Sequence, residues 1–135
     1  MEDLLRPALL DWLRAAPAPL DALTAIEEEV PPRATPPWLA IVASASADWS
    51  VKDRRGREIR IAIELNSRAD DPRADAPLVS ALDRRIEALP RAQEGFEIAS
   101  IAFLRARTER RPANARATLM EYRFRCLEPQ TENQP

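Results

Sequence analysis

The sequence predicts an α+β fold: an antiparallel or mixed β-sheet of about four to five strands with two α-helices packed on one face. Three observations predict it. Two stretches, residues 3–15 and 77–89, repeat apolar residues at helical spacing. One stretch, "REIRIAIEL" (57–65), alternates apolar and polar side chains without a break. The strand-like stretches come in pairs joined by polar loops, the pattern of hairpins, which sets neighbouring strands antiparallel and leaves the helices to share one face.

The first helix, "DLLRPALLDWLRA", carries Leu4, Leu5, Ala8, Leu9, Trp12 and Leu13 on one side. Asp3 is its expected N-cap, and Pro7 falls in or just after the first turn, where a missing N–H matters least. "APAPL" (16–20) stops it. The second half of "LDALTAIEEEV" (20–30) reads as a short strand closed by Pro31 and Pro32. "PPRATPP" then reads as a stiff, extended connector, because each proline fixes its own φ and biases its predecessor away from helix.

"WLAIVASAS" (38–46) is a buried strand, and 57–65 its hairpin partner, with Ile59, Ile61, Ile63 and Leu65 on the inner face. Gly56 supplies turn freedom between them. A polar loop (67–77) leads into the second helix, with Leu78, Val79, Leu82, Ile86 and Leu89 inward, Pro77 at its first position and Pro90 at its end. Two long strands follow, 96–109 and 116–128, joined by "RRPANA"; Met120, Tyr122, Phe124 and Cys126 face inward. One domain is expected over 1–129, with a disordered tail at 130–135. The outer sheet face should carry Glu58, Arg60, Glu64, Arg105, Arg107, Glu121, Arg123 and Arg125.

Composition narrows the chemistry. The chain has 135 residues, enough to bury roughly two-thirds of its unfolded surface. With 45% apolar and 31% charged residues and a formal charge of −2, it has no strong general attraction for nucleic acid or anionic lipid. It contains no histidine and a single cysteine, Cys126, so the usual general base, the commonest zinc ligand and any intrachain disulfide are all missing. A reducing, intracellular setting fits, and no apolar run or leader-like start indicates membrane insertion or export.

No catalytic or cofactor site emerges. The serines have no histidine to activate them, and the two glycines, Gly56 and Gly95, cannot build a phosphate cradle. "EEE" (27–29) and "DD" (70–71) lack the spacing of a calcium loop, and read as solvated charge. Asp53 lies in a loop, and "ELN" (64–66) lacks the lysine of a magnesium nuclease site. Cys126 reads as a buried structural thiol.

Surface chemistry remains. The hairpin tip gathers Lys52, Asp53, Arg54, Arg55 and Arg57 behind Trp49. Composition alone favours a solvated loop there, with contact to another subunit as the sharper alternative. Trp49 suits burial within the subunit or at an interface. The mixed charges of the outer sheet face suit either solvent or a complementary mate.

Taken together, the element order, "PPWLAIV", "ADWSVKDRRGREIRIAIELNSR" and "SIAFLRARTERRP…YRFRC" resemble a family of tail completion proteins from long-tailed phages and phage-derived gene transfer agents of bacteria. The resemblance runs from the first helix to about Pro129. It is most recognisable in the D-W-S…K…G-x-E block at 48–58 and least typical over 24–37. It implies a non-enzymatic protein without cofactor: a ring, usually a hexamer, that ends the head-proximal side of a tail tube. Its implied partners are further copies of itself, the tail tube protein and a head–tail connector or stopper. DNA would pass through the ring without specific binding. The implied location is the bacterial cytoplasm during assembly, then the tail of the released particle. On this footing Trp49 becomes an interface anchor and Arg54, Arg55 and Arg57 electrostatic selectors, with Lys52, Arg105, Arg107, Arg123 and Arg125 as further interface residues. Another neck component is the nearest alternative, and a cytosolic adaptor domain the more distant one.

Overall fold

A computed structural model describes residues 1–68 and 72–129. The elements in chain order are α1 (Glu2–Arg14), β1 (Ile26–Glu27), β2 (Trp38–Asp48), β3 (Gly56–Arg68), α2 (Ala76–Glu87), β4 (Ala92–Gln93), β5 (Phe96–Arg111) and β6 (Ala115–Leu127), with single 3₁₀ turns at Leu20–Ala22 and Pro72–Asp75. The strands form one six-stranded sheet in the order β1-β2-β3-β6-β5-β4. Every pairing is antiparallel except β1 on β2, so the sheet is mixed.

The sheet therefore has one strand more than the upper end of the expectation. The addition is β4, two residues folded back onto Phe96 and Glu97 through a turn in which Gly95 takes φ 87°. A strand this short offers no periodicity to read.

Alternation decides the packing. Ile59, Ile61, Ile63 and Leu65 of β3 and Met120, Tyr122, Phe124 and Cys126 of β6 share one cluster with Leu5, Leu9, Leu10 and Leu13 of α1 and Leu82 and Ile86 of α2. Both helices thus cover the same face. Each fully buried leucine or isoleucine there contributes about 1.5–3 kcal/mol. Tyr122 keeps its hydroxyl satisfied by donating to Asp83 on α2, a bond that ties helix to sheet. The desolvated phenol, further held by that carboxylate, titrates well above the ordinary tyrosine range.

Four local expectations change. Helix α1 starts one residue early: the N–H groups of Leu4 and Leu5 donate to the Met1 carbonyl at 3.0 Å, so Asp3 lies inside the first turn. There its carboxylate accepts from the Met1 ammonium at 3.0 Å and suits the helix dipole. Pro77 stands second in α2, after Ala76. The 24–37 segment is a closed loop, because Thr24 N–H donates to the Pro37 carbonyl at 2.8 Å and Leu39 N–H to Ala25 at 2.9 Å. Those bonds bring β1 alongside β2 in parallel. Gly56, finally, is needed for space rather than for turn freedom: a Cβ on it would stand 2.4 Å from the Trp49 carbonyl oxygen and 2.8 Å from that of Cys126. The expected tail at 130–135 and the "DD" pair at 70–71 lie outside the described residues.

Candidate assembly interface

The long hairpin of β2 and β3 pairs from Trp38↔Asn66 to Asp48↔Arg57 and ends in a small turn where Val51 N–H donates to the Arg54 carbonyl at 2.9 Å. The tip does not stand free. Glu128 N–H donates to the Arg55 carbonyl at 2.9 Å, and Arg54 Nε donates to the Glu128 carbonyl at 3.0 Å. The same guanidinium lies 3.6 Å from the Glu97 carboxylate, and its side chain is only 15% exposed. Arg54 is therefore a clamp that holds the tip on the ends of β5 and β6.

The remaining tip cations separate from it. Arg57 lies 3.5 Å from Asp48 across the hairpin. Lys52 and Arg55 are exposed, and their side chains make no hydrogen bond or ion pair with any described residue. Trp49 is half-buried on the sheet face opposite the helices, with the Arg125 guanidinium 5.4 Å from its ring centroid.

That open face is a lattice of paired charges. Glu58 on β3 accepts from Arg125 Nε at 3.1 Å, with Arg123 and Arg60 each at 3.9 Å. Arg105 and Glu121 form a two-pronged pair at 2.8 and 3.2 Å across β5 and β6. This bond holds the Glu121 carboxyl below, and the Arg105 guanidinium above, their ordinary titration ranges. Arg107 pairs with Glu109 at 3.2 Å, and Arg111 with Glu64 at 3.3 Å. Arginines outnumber glutamates on this face, but each glutamate already has a mate. Arg123 Nε is buried without a hydrogen-bond partner. Between the β2 alanines and Arg105 the face sinks into a shallow trough of about 600 Å³.

Sequence reasoning placed all eight charged residues of this face correctly, because period-two alternation survives in β3 and β6 and the two register shifts of β5 cancel by Arg105. It missed two features. Phe103 is 45% exposed and rims an apolar groove of about 620 Å³ beside α2. Both sheet edges are also largely unpaired: β1 covers β2 only at Leu39–Ala40, and β4 covers β5 only at Phe96–Glu97.

Cys126 is fully buried, and burial pushes its thiol up to about 12. Among the described residues, no group of three His, Cys, Asp or Glu side chains could hold a metal ion. Nor is any helix there long and apolar enough to cross a membrane.

A helix-backed sheet with one charged open face and two bare edges defines an α+β subunit whose distinguishing features are surfaces rather than a cleft. The family described as Tail completion protein gp17 matches residues 7–127, and the chain belongs to that family. It is thus a structural protein of a phage-type tail. Its fold is similar to that of a chain in the virion of a native gene transfer agent particle, at 24% identity, a TM-score of 0.68, and coverage of 93% of this chain and 96% of that one. A second solved structure has 18% identity, a TM-score of 0.55, and coverage of 98% and 99%. At such identities the likeness is one of fold. No curated protein matches the chain at a significant level.

Proposed function

We propose that this protein caps the head-proximal end of a tail tube as a homomeric ring, a hexamer in the simplest case, and presents the surface that joins the tube to the head. The observation that carries the reading is membership of a tail completion family across residues 7–127, on a subunit whose two sheet faces differ completely. A tube grows through an interface that does not close along its axis. A subunit that matches the tube end on one side and lacks that match on the other stops growth.

In this proposal Lys52, Arg55 and Arg57 select a neighbouring subunit or the tube, and Trp49 anchors the contact from the open face. Arg54 holds their platform in place. Arg105, Arg107, Arg123 and Arg125 contribute through the open face, where existing pairs with glutamate set register more than affinity. The partners are further copies, the tail tube protein and a head–tail connector or stopper. DNA threads the ring without specific binding, since a face of both charge signs offers no continuous phosphate track. Assembly takes place in the bacterial cytoplasm, and the ring leaves in the particle's tail.

Deleting the gene tests this. Electron microscopy should find headless tubes of uncontrolled length beside filled, tailless heads. Normal tailed particles would refute the proposal; heads that leak DNA on tubes of normal length would reassign the protein to the connector or stopper.

A further inference from the structure

The two edges of the sheet are unlike each other and suit each other. β2 runs antiparallel to β3, β3 to β6, and β6 to β5, so the two edge strands of this four-stranded core point in opposite directions. A second copy placed beside the first, open faces on the same side, would bring its β2 antiparallel to the first copy's β5. The alternation used throughout the core would continue unbroken.

Irregularities confine the match to one stretch on each side. A register shift at Val42 interrupts β2, and shifts at Ala99 and Leu104 interrupt β5. What remains regular is Ala43–Asp48 on one edge and Arg105–Arg111 on the other. Each spans about 20 Å at strand rise, so the two are of nearly equal length. Both present unpaired backbone N–H and C=O groups, which an isolated protein must cover or guard.

Side chains and charge point the same way. The β2 stretch carries Ala43, Ser44, Ala45, Ser46 and Ala47, small residues that admit a close neighbour. Acidic groups outnumber basic ones around it: Asp48 at its end, Glu2 accepting from Ser46, and Glu28 and Glu29 beside Ser44. Against them stand Arg6, which donates to Ser44 at 3.4 Å and to Glu28 at 3.2 Å, and Arg57, 3.5 Å from Asp48. The β5 stretch, "RARTERR", holds four arginines against one glutamate. Pairing β5 with its own copy would set those arginines against each other, an unfavourable like-charge arrangement.

We infer that copies of this chain join edge to edge, Arg105–Arg111 of one against Ala43–Asp48 of the next, in a continuous antiparallel sheet. Such a contact is heterologous, using different surfaces on the two sides, and therefore builds rings or open chains rather than two-fold dimers. The inference rests on the ring proposed above for closure, while the pairing itself is a separate claim.

Cysteine cross-linking separates the two. Ser44→Cys and Thr108→Cys sit on the exposed edges and on the same, helix-covered side of the sheet, and Cys126 is too buried to interfere. After mixing the two variants at high concentration with a short bifunctional maleimide, the mixed dimer should exceed either homodimer by about tenfold or more, and Arg107→Glu with Arg110→Glu should remove most of that excess. Ser46→Cys with Ala106→Cys supplies a second pair on the same side, should either first variant fold poorly. Homodimers in excess would overturn the pairing. Rings in negative stain without the mixed link would overturn it too, leaving the ring reading intact. A mixed ladder that never closes would keep the pairing and remove the ring. Neither rings nor links would remove both.

Discussion

Trp12 and Arg85 each cap the other's helix. Trp12 Nε1 donates to the Arg85 carbonyl at 2.7 Å, while Arg85 donates to the Trp12 carbonyl from Nε at 3.0 Å and Nη2 at 2.7 Å. The guanidinium also lies 3.5 Å from the indole centroid. Both carbonyls belong to the last turns of α1 and α2, where intrahelical donors grow scarce; that of Arg85 also accepts the Ala88 N–H at 3.2 Å. The clasp thus satisfies two helix ends, places a cation at the negative end of the α1 dipole, and fixes how the helices lie together over the sheet.

Breaking either half should be costly, and the two halves should not add. Trp12→Phe keeps a ring but loses the donor, for about 1 kcal/mol. Arg85→Lys loses the planar fork and the stacking, for about 1–2 kcal/mol. A double-mutant cycle followed by urea unfolding should give a coupling of about 0.5–3 kcal/mol. Strict additivity would mean that the clasp is incidental.

The neck of the β2–β3 hairpin admits nothing larger than hydrogen. Gly56→Ala would push a methyl to 2.4 Å from the Trp49 carbonyl oxygen, a backbone atom that cannot move without opening the hairpin. The expected cost is about 3 kcal/mol or more, with lost pairing near Arg57 and Asp48. Thermal unfolding and amide exchange across 48–58 measure it. A variant that melts like the parent would show that the neck relaxes cheaply.

Much of this architecture is legible in the sequence because its signals are periodic. Ile59, Ile61, Ile63 and Leu65 announce the inner face of β3, and helical spacing announces both helices. The unread parts depend on contacts between distant residues. Nothing near Arg54 says that its guanidinium will meet the Glu128 carbonyl, and nothing near Thr24 says that it will bond Pro37. The prolines of 31–37 suggest a stiff, extended connector, and stiffness does not reveal that the loop ends meet. Edges are equally silent, since a bare edge is defined by the strand that fails to pair with it.

Acid should weaken the join between α1 and β2. Glu2 accepts a hydrogen bond from Ser46, and that bond, with lesser help from the chain's ammonium, holds its carboxyl down at about 2. A depressed carboxyl stabilises the fold fully above its unfolded value, near 4.5, and loses that contribution as pH falls through about 2. Wild type should therefore melt above Glu2→Gln at pH 6, with the gap narrowing steadily between pH 4.5 and 2. A gap that stayed constant with pH would assign the difference to something other than ionisation.

The hairpin-tip arginines should split into two kinds. Arg54 donates to the Glu128 carbonyl and faces Glu97, so Arg54→Glu removes a clamp and sets two carboxylates together. It should destabilise the isolated subunit by about 2 kcal/mol, visible in urea before any assembly is attempted. The side chains of Arg55 and Lys52 bind no described residue, so Arg55→Glu with Lys52→Glu should leave the stability within about 0.5 kcal/mol of the parent. If these two residues touch a neighbour or the tube end, that soundly folded variant should still fail to restore tailed particles to a deletion strain. Full restoration would return Lys52 and Arg55 to the status of solvated charge, while Arg54 would keep its structural role.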